Sequence, residues 1–307
     1  MIRQLPCVFV FLIGSIDPLA AVAQQDPLYA QYINNPFLLN PAYAGLTNNL
    51  NTSIVVREQW SGLPGSPVTY NANGHISLDD NRMGAGLMIS SDNVGATTVN
   101  EIFGSYSYRI NITADKILSF GLQAGAANYQ LDNSKLNPQN PTDPLFQGNI
   151  SVTRPTAGAG IILKSDKFFI GLSVPRMLRS TLETAGIQQT LYTQTVYLMG
   201  SYLFTVSDRL HLKPSVLIKE VAGSPISVDF NASIIIRENY SFGLLTRNFN
   251  TYGFMAQALL GTSFRLGYVF EVPTGNSVGT VYSTNEITLG FRTSVLRFHG
   301  SSNLLTF

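Results

Sequence analysis

The chain has 307 residues, of which 45% are hydrophobic and only 12% charged, and its formal net charge is +1. Average soluble domains carry about 25% charged residues, so an extensive solvated surface is excluded. The near balance of 19 basic and 18 acidic side chains excludes a nucleic-acid stripe and an acidic tail. A single cysteine, Cys7, leaves no disulfide framework or cysteine-based zinc site.

Arg3, the apolar run from Cys7 to Ile16 and the small residues Ala21-Val22-Ala23 have the form of a secretory signal peptide. Residues 1–23 are expected to be removed before Gln24. A membrane anchor would need roughly 20 apolar residues, and Asp17-Pro18 breaks this run first. No apolar run precedes Cys7, so it is not a lipoprotein cysteine.

Residues 24–50 carry the stretch QDPLYAQYINNPFLLNPAYAG, too rich in proline and asparagine for a long helix and too aromatic for a solvated tail. The segment is expected to be irregular but ordered. Tyr29, Tyr32, Phe37, Leu38 and Tyr43 should bury against the interior or the mouth of the fold made by residues 51–293. The prolines should hold the chain extended, and Asn35 and Asn40 should satisfy backbone groups at turns.

From residue 51 to 293 the chain alternates in polarity with period two, the mark of strands with one apolar and one polar face. Val68, Tyr70, Ala72, Gly74, Ile76 and Leu78 oppose Thr69, Asn71, Asn73, His75 and Ser77. Strands are expected at 51–60, 67–78, 83–91, 97–110, 116–130, 152–164 and 167–176. They continue at 191–206, 209–220, 225–237, 240–248, 251–260, 263–273 and 283–293. Tight polar turns such as Asp79–Arg82 alternate with connections that reach the length of Asp132–Ser151, Met177–Thr190 and Pro273–Tyr282.

Short turns at one end and longer loops at the other describe an outer-membrane antiparallel β-barrel, here of about 14 strands with both termini at the periplasmic end. A secreted β-sandwich would need Lys and Glu on its polar faces, where this chain has mostly Ser, Thr, Asn, Gln and Gly. A barrel of that width is not filled by wall side chains alone, so its lumen is either occupied or a channel.

Little in the chain speaks for catalysis. His75, His211 and His299 share no metal-ligand spacing, and no nucleophile elbow, His-Glu-x-x-His or phosphate loop is present. The Ser77–His75 and Ser215–His211 pairs lack a third member. The inward charges Glu101, Arg109, Lys213, Lys219, Asp229, Arg265, Glu271, Glu286 and Arg292 form either a selectivity patch or a salt-bridge network holding a plug.

The opening segment and the stretch Arg57-Glu58-Gln59-Trp60-Ser61-Gly62 resemble the PorP/SprF family of type IX secretion outer-membrane proteins of Bacteroidota. The resemblance rests on Asp26, Pro27, Gln31, Tyr32, Asn35, Pro36, Leu39, Asn40, Pro41, Ala42, Tyr43 and Gly45, then Arg57, Gln59, Trp60 and Gly62. It implies a cofactor-free component of the secretion and gliding apparatus. Its implied partners are periplasmic and lipoprotein ring components and a large secreted adhesin. Chain 294–307 departs from the family by running on past the closing strand. The residues themselves leave open a porin or small-solute channel, while the polar inward faces speak against a carrier of hydrophobic compounds.

Overall fold

The computed structural model describes residues 29–136, 148–184, 187–274, 281–300 and 304–305. The signal peptide, its cut site, Asp26 and Pro27 lie outside the described residues.

The first strands are β1 (Leu50–Glu58), β2 (Val68–Leu78), β3 (Met83–Val94), β4 (Thr97–Asn111), β5 (Lys116–Leu131), β6 (Ile150–Ser165) and β7 (Phe168–Val174). There follow β8 (Ser180–Thr184), β9 (Ile187–Tyr192), β10 (Thr195–Tyr202) and β11 (Phe204–Ser207). The last are β12 (Leu210–Val221), β13 (Ser227–Ile236), β14 (Tyr240–Arg247), β15 (Thr251–Leu260), β16 (Phe264–Pro273) and β17 (Thr284–Thr293). All neighbours in the large sheet are antiparallel, and it closes through β1–β17 and β10–β12 into a 14-strand barrel. β11 continues β10 beyond Leu203 and pairs with β12.

Period-two alternation gives the wall two faces of opposite chemistry. On β2, Thr69, Asn71, Asn73, His75 and Ser77 are buried inside, while Tyr70 points outward and is 50% exposed. Outward rows such as Leu244, Leu266 and Leu289 make an apolar band. Tyr106, Tyr108, Phe120, Phe264 and Phe291 fringe it at one end, and Phe230, Tyr252, Phe254 and Phe270 at the other. An apolar exterior with aromatic girdles and a polar interior is what a barrel needs in lipid, where its backbone groups must pair within the wall.

Connections at one end are confined to 79–82, 112–115, 166–167, 208–209, 237–239 and 261–263, which we term the short-turn end. Asp79, Asp80 and Asn81 all have positive φ there, a conformation Asp and Asn tolerate better than most residues. The opposite, loop end departs from the sequence expectation in one respect. Where the loop 177–190 was expected, β8 and β9 form a separate hairpin that runs on to Tyr192, and the wall strand expected at 191–206 begins only at Thr195. The hairpin is free of Gly and Pro over 187–192, but it is not part of the wall and so its sequence follows no inside–outside pattern.

Past β17 the chain turns across the short-turn mouth. Gly300 N donates to Asn48 O (3.1 Å), Asn81 Nδ2 to Phe298 O (3.1 Å) and Leu304 N to Glu238 O (3.2 Å). Leu304 is buried in a cluster that includes Leu203, Ile235 and Leu259.

Candidate functional site

The barrel core is built by residues 29–49, which run inside the wall from the level of Asn71 and Glu286 down to Asn48 and Asn49 at the short-turn end. Local sequence sets their shape as three single 3-10 turns, Gln31–Ile33, Pro36–Leu38 and Pro41–Tyr43. Pro36 and Pro41 each open a turn, where a missing N–H costs no bond. They therefore start turns and do not hold the segment extended. Tyr29, Tyr32, Phe37, Leu38, Leu39 and Tyr43 are all buried, together with Gln31, Asn35, Asn40 and Ala42. Burial pushes the Tyr43 phenol up to about 12 and raises that of Tyr29, so both stay neutral, and Tyr29 Oη accepts from Asn71 Nδ2 (3.3 Å).

Asn40 is fully buried and ties the segment to itself and to two strands. Its Oδ1 accepts from Ala42 N (2.9 Å), and its Nδ2 donates to Ile161 O (3.3 Å) and Leu172 O (3.2 Å). Asn35 behaves differently from expectation: its Nδ2 donates to the wall side chains Ser53 Oγ (2.8 Å) and Asn73 Oδ1 (3.2 Å), not to a turn backbone.

The wall satisfies further backbone groups of the segment. Ser173 Oγ donates to Leu39 O (2.8 Å), Ser119 Oγ to Ala42 O (2.6 Å) and Ser107 Oγ to Ala44 O (2.7 Å). Lys164 Nζ reaches Leu46 O (3.2 Å) and Arg265 Nη1 reaches Asn34 O (3.1 Å). A side chain at Gly84 or Gly121 would run into the backbone of Ala44 or Ala42, so these wall glycines are seats for the segment. His75 Nδ1 accepts from Gly45 N (3.0 Å), and its ring meets Phe37 and Tyr43 edge-on at 5.2 and 5.5 Å. With His75 so engaged and Ser77 Oγ donating to Asn81 Oδ1 (2.6 Å), the two are not a nucleophile–base pair.

The inward carboxylates gather toward one end of the barrel, while basic residues stand at both ends. The buried carboxylates Glu101, Asp229, Glu271 and Glu286 lie in the half toward the loop end. Arg109, Lys164, Lys213 and Arg292, with half-buried Arg265, lie near the short-turn end; Lys219 is buried toward the loops. Arg109 donates to Asn48 Oδ1 (2.9 Å) and Met83 O (2.6 Å), and Arg292 Nε to Thr262 O (3.2 Å).

Toward the loop end Arg57 bridges Glu271 (2.5 Å) and Glu286 (3.1 Å), while Arg247 bridges Asp229 (2.9 Å) and approaches Glu271 (3.6 Å). Glu286 completes its shell with Ala30 N and Gln31 N, each 2.8 Å away. Three carboxylates thus face two guanidiniums and two amides at the start of the inner segment. Such mutual compensation is what allows charge inside a low-dielectric wall.

Arg57 is the member of the Arg57–Gly62 stretch that enters this network. Gln59 N instead donates to Pro67 O (2.9 Å), Trp60 N to Thr284 Oγ1 (3.2 Å), and Gly62 takes φ 93°, all in the turn that leaves β1 at the loop end. Three basic residues of the site were not singled out by sequence: Lys164, Arg176 and Arg247. Arg247 shares the inward parity of Ser241 and Gly243, so its direction was available from alternation. Arg176 was not, because it lies beyond the last residue of β7. It pairs with Glu101 (Nε to Oε1, 2.6 Å) and lies over the rings of Phe103 (5.6 Å) and Tyr192 (5.5 Å), fastening the 175–194 connection to the loop mouth.

Two small cavities of about 10 Å³ each border the inner segment, one beside Tyr32 and Pro36 and the other beside Tyr29 and Leu38, and a wider one of about 580 Å³ opens at the short-turn mouth beside Asn48, Arg109 and Lys164. Each of the two small ones has room for about one water. Among the described residues no group of three His, Cys, Asp or Glu is placed to share a metal ion.

A family model described as "Type IX secretion system membrane protein PorP/SprF" matches residues 21–291. No curated protein matches the sequence. Among solved structures, the CymD monoaromatic hydrocarbon channel aligns at TM-score 0.50 and 12% identity, covering 89% of this chain and 94% of its own. The Pseudomonas putida toluene transporter TodX aligns at 0.47 and 10% identity, over 83% and 92% of the two chains. A Pseudomonas aeruginosa FadL homologue aligns at 0.47 and 10%, over 84% and 93%. At 12% identity the likeness to CymD is one of barrel fold.

Proposed function

The chain belongs to the PorP/SprF family of type IX secretion system membrane proteins, and on that premise we propose that it is a filled docking barrel of the outer membrane, not a conduit. In this role it carries out no reaction and needs no cofactor. It supports the export or surface anchoring of an adhesin-type substrate. The short-turn end and both termini face the periplasm and meet lipoprotein and periplasmic ring components; the loops meet the substrate.

The observation that carries this reading is the occupied lumen: residues 29–49 are fastened to the wall by Asn40, Glu286, His75 and the serine hydroxyls. A porin needs a water-filled passage; the segment leaves only cavities of about 10 Å³ beside Tyr32 and Tyr29, which supports a closed state, with wider space confined to the short-turn mouth beside Asn48. Deletion of the gene in its host tests the role. The expected result is loss of at least one large type IX substrate from the cell surface, restored by the wild-type gene, and co-purification of the barrel with ring components. Normal export and display of every type IX substrate in the deletion strain would contradict it.

A further inference from the structure

Outward-facing residues of β1 to β6 leave a groove of about 530 Å³ in the lipid-side wall, lined by Ile54, Tyr70, Ala72, Ile89, Ile102 and Ala126. These side chains continue the apolar outer band, so the floor of the groove is continuous with the surface that meets the bilayer. The concavity arises where the wall is pinched: at Gly125 β4 and β5 approach so closely that a side chain would strike the Ile102 carbonyl. Large flanking residues and small central ones, Ala72 and Ala126, then leave a furrow.

The loop-end rim of this furrow differs from the rest of the girdle. On β13, β15 and β16 that rim is aromatic, with Phe230, Tyr252, Phe254 and Phe270 outward, and on β1, β7, β10 and β14 it is aliphatic, with Val56, Leu172, Leu198 and Leu244. Above the groove Tyr70 holds the position on β2, while those on β4, β5 and β6 are Asn100, Asn128 and Thr153. Asn128 Nδ2 donates to Thr153 Oγ1 (2.9 Å) and Ser151 Oγ (3.2 Å), and Gln130 Nε2 donates to Asn128 Oδ1 (2.6 Å). The two hydroxyls, each accepting from Asn128, keep their own protons to donate. An apolar trough under a shelf of hydroxyl donors matches an amphiphile with an alkyl chain and oxygen acceptors at one end. A lipid that merely packed against the wall would be served by the aromatic and aliphatic rim of those other strands.

We propose that this groove is a specific seat for a bilayer lipid of the leaflet at the loop end. One acyl chain lies along Ile54, Ala72, Ile89 and Ala126, and its ester or phosphate oxygens accept from Thr153 and Ser151. The site is independent of the inner segment and of the docking role.

The full chain, reconstituted in phosphatidylcholine vesicles carrying a trace of phosphatidylcholine with a photoactivatable diazirine in the acyl chain, tests this by peptide mapping of the adducts. The expected result is adducts enriched on β2 to β5 over the wall around Leu244 and Phe254. Ala126→Trp, which fills the furrow from the lipid side, should reduce β2–β5 labelling to the level of that opposite wall and leave the latter unchanged. Ala72→Trp is the equivalent variant should the first not assemble. Labelling spread evenly around the band, or enrichment that survives both fillings, would overturn the proposal.

Discussion

Replacing Glu286 by alanine should destabilise the barrel by about 3–5 kcal/mol, the cost of breaking a buried ion pair from one side. Glu286 is fully buried, accepts from Ala30 N, Gln31 N and Arg57 Nη1, and stands on the closing strand. Without it Arg57 keeps Glu271 as a partner, but two amide donors and half of a guanidinium's bonding are left facing a hole. Glu286→Gln preserves the volume and most acceptor capacity and should cost less, about 1–3 kcal/mol. The urea dependence of the heat-modifiable band in gel electrophoresis reads both. Equal midpoints for wild type and Glu286→Ala would show that this carboxylate does not hold the inner segment.

The second large effect is expected at Asn40. Its side chain enters a slot made by two wall glycines: a side chain at Gly160 would strike the amide, and one at Gly171 would lie 3.1 Å from Asn40 Nδ2. Asn40→Ala removes one acceptor and two donated bonds, leaving Ala42 N, Ile161 O and Leu172 O without them. Each buried group so stranded costs roughly 1–3 kcal/mol. Loss should be local before it is global, so amide hydrogen exchange over residues 36–46 should accelerate more than exchange in β13 to β16. Gly160→Val attacks the same contact from the wall and should give the same exchange pattern. Uniform acceleration across the barrel in both variants would place Asn40 in general stability and not in attachment of the segment.

The wall is largely legible in the sequence, because lipid outside and polar filling inside impose period two on its strands. β2, β13 and β16 follow from alternation alone, and the inward parity of Glu271, Glu286 and Asp229 comes with it. The β8–β9 hairpin does not, since no lipid face disciplines its pattern. Pairings within the site are also beyond reach: Ala30 meets Glu286 across 256 residues, and period two says which way a side chain points but not what it meets. Burial of the opening aromatics could be foreseen from composition. That Pro36 and Pro41 start 3-10 turns was less legible: Asn40 caps the second turn through Ala42 N, while its Nδ2 donates to β6 and β7 far along the chain.

In the proposed role residues 29–49 fill the lumen and close it. Planar-bilayer recording of the full mature chain beside a chain lacking 29–49 tests this most directly. No steady conductance is expected from the full chain, and stable open channels are expected from the shortened one once gel mobility shows that it has folded. Steady conductance from the full chain, or a folded shortened barrel that stays silent, would contradict it.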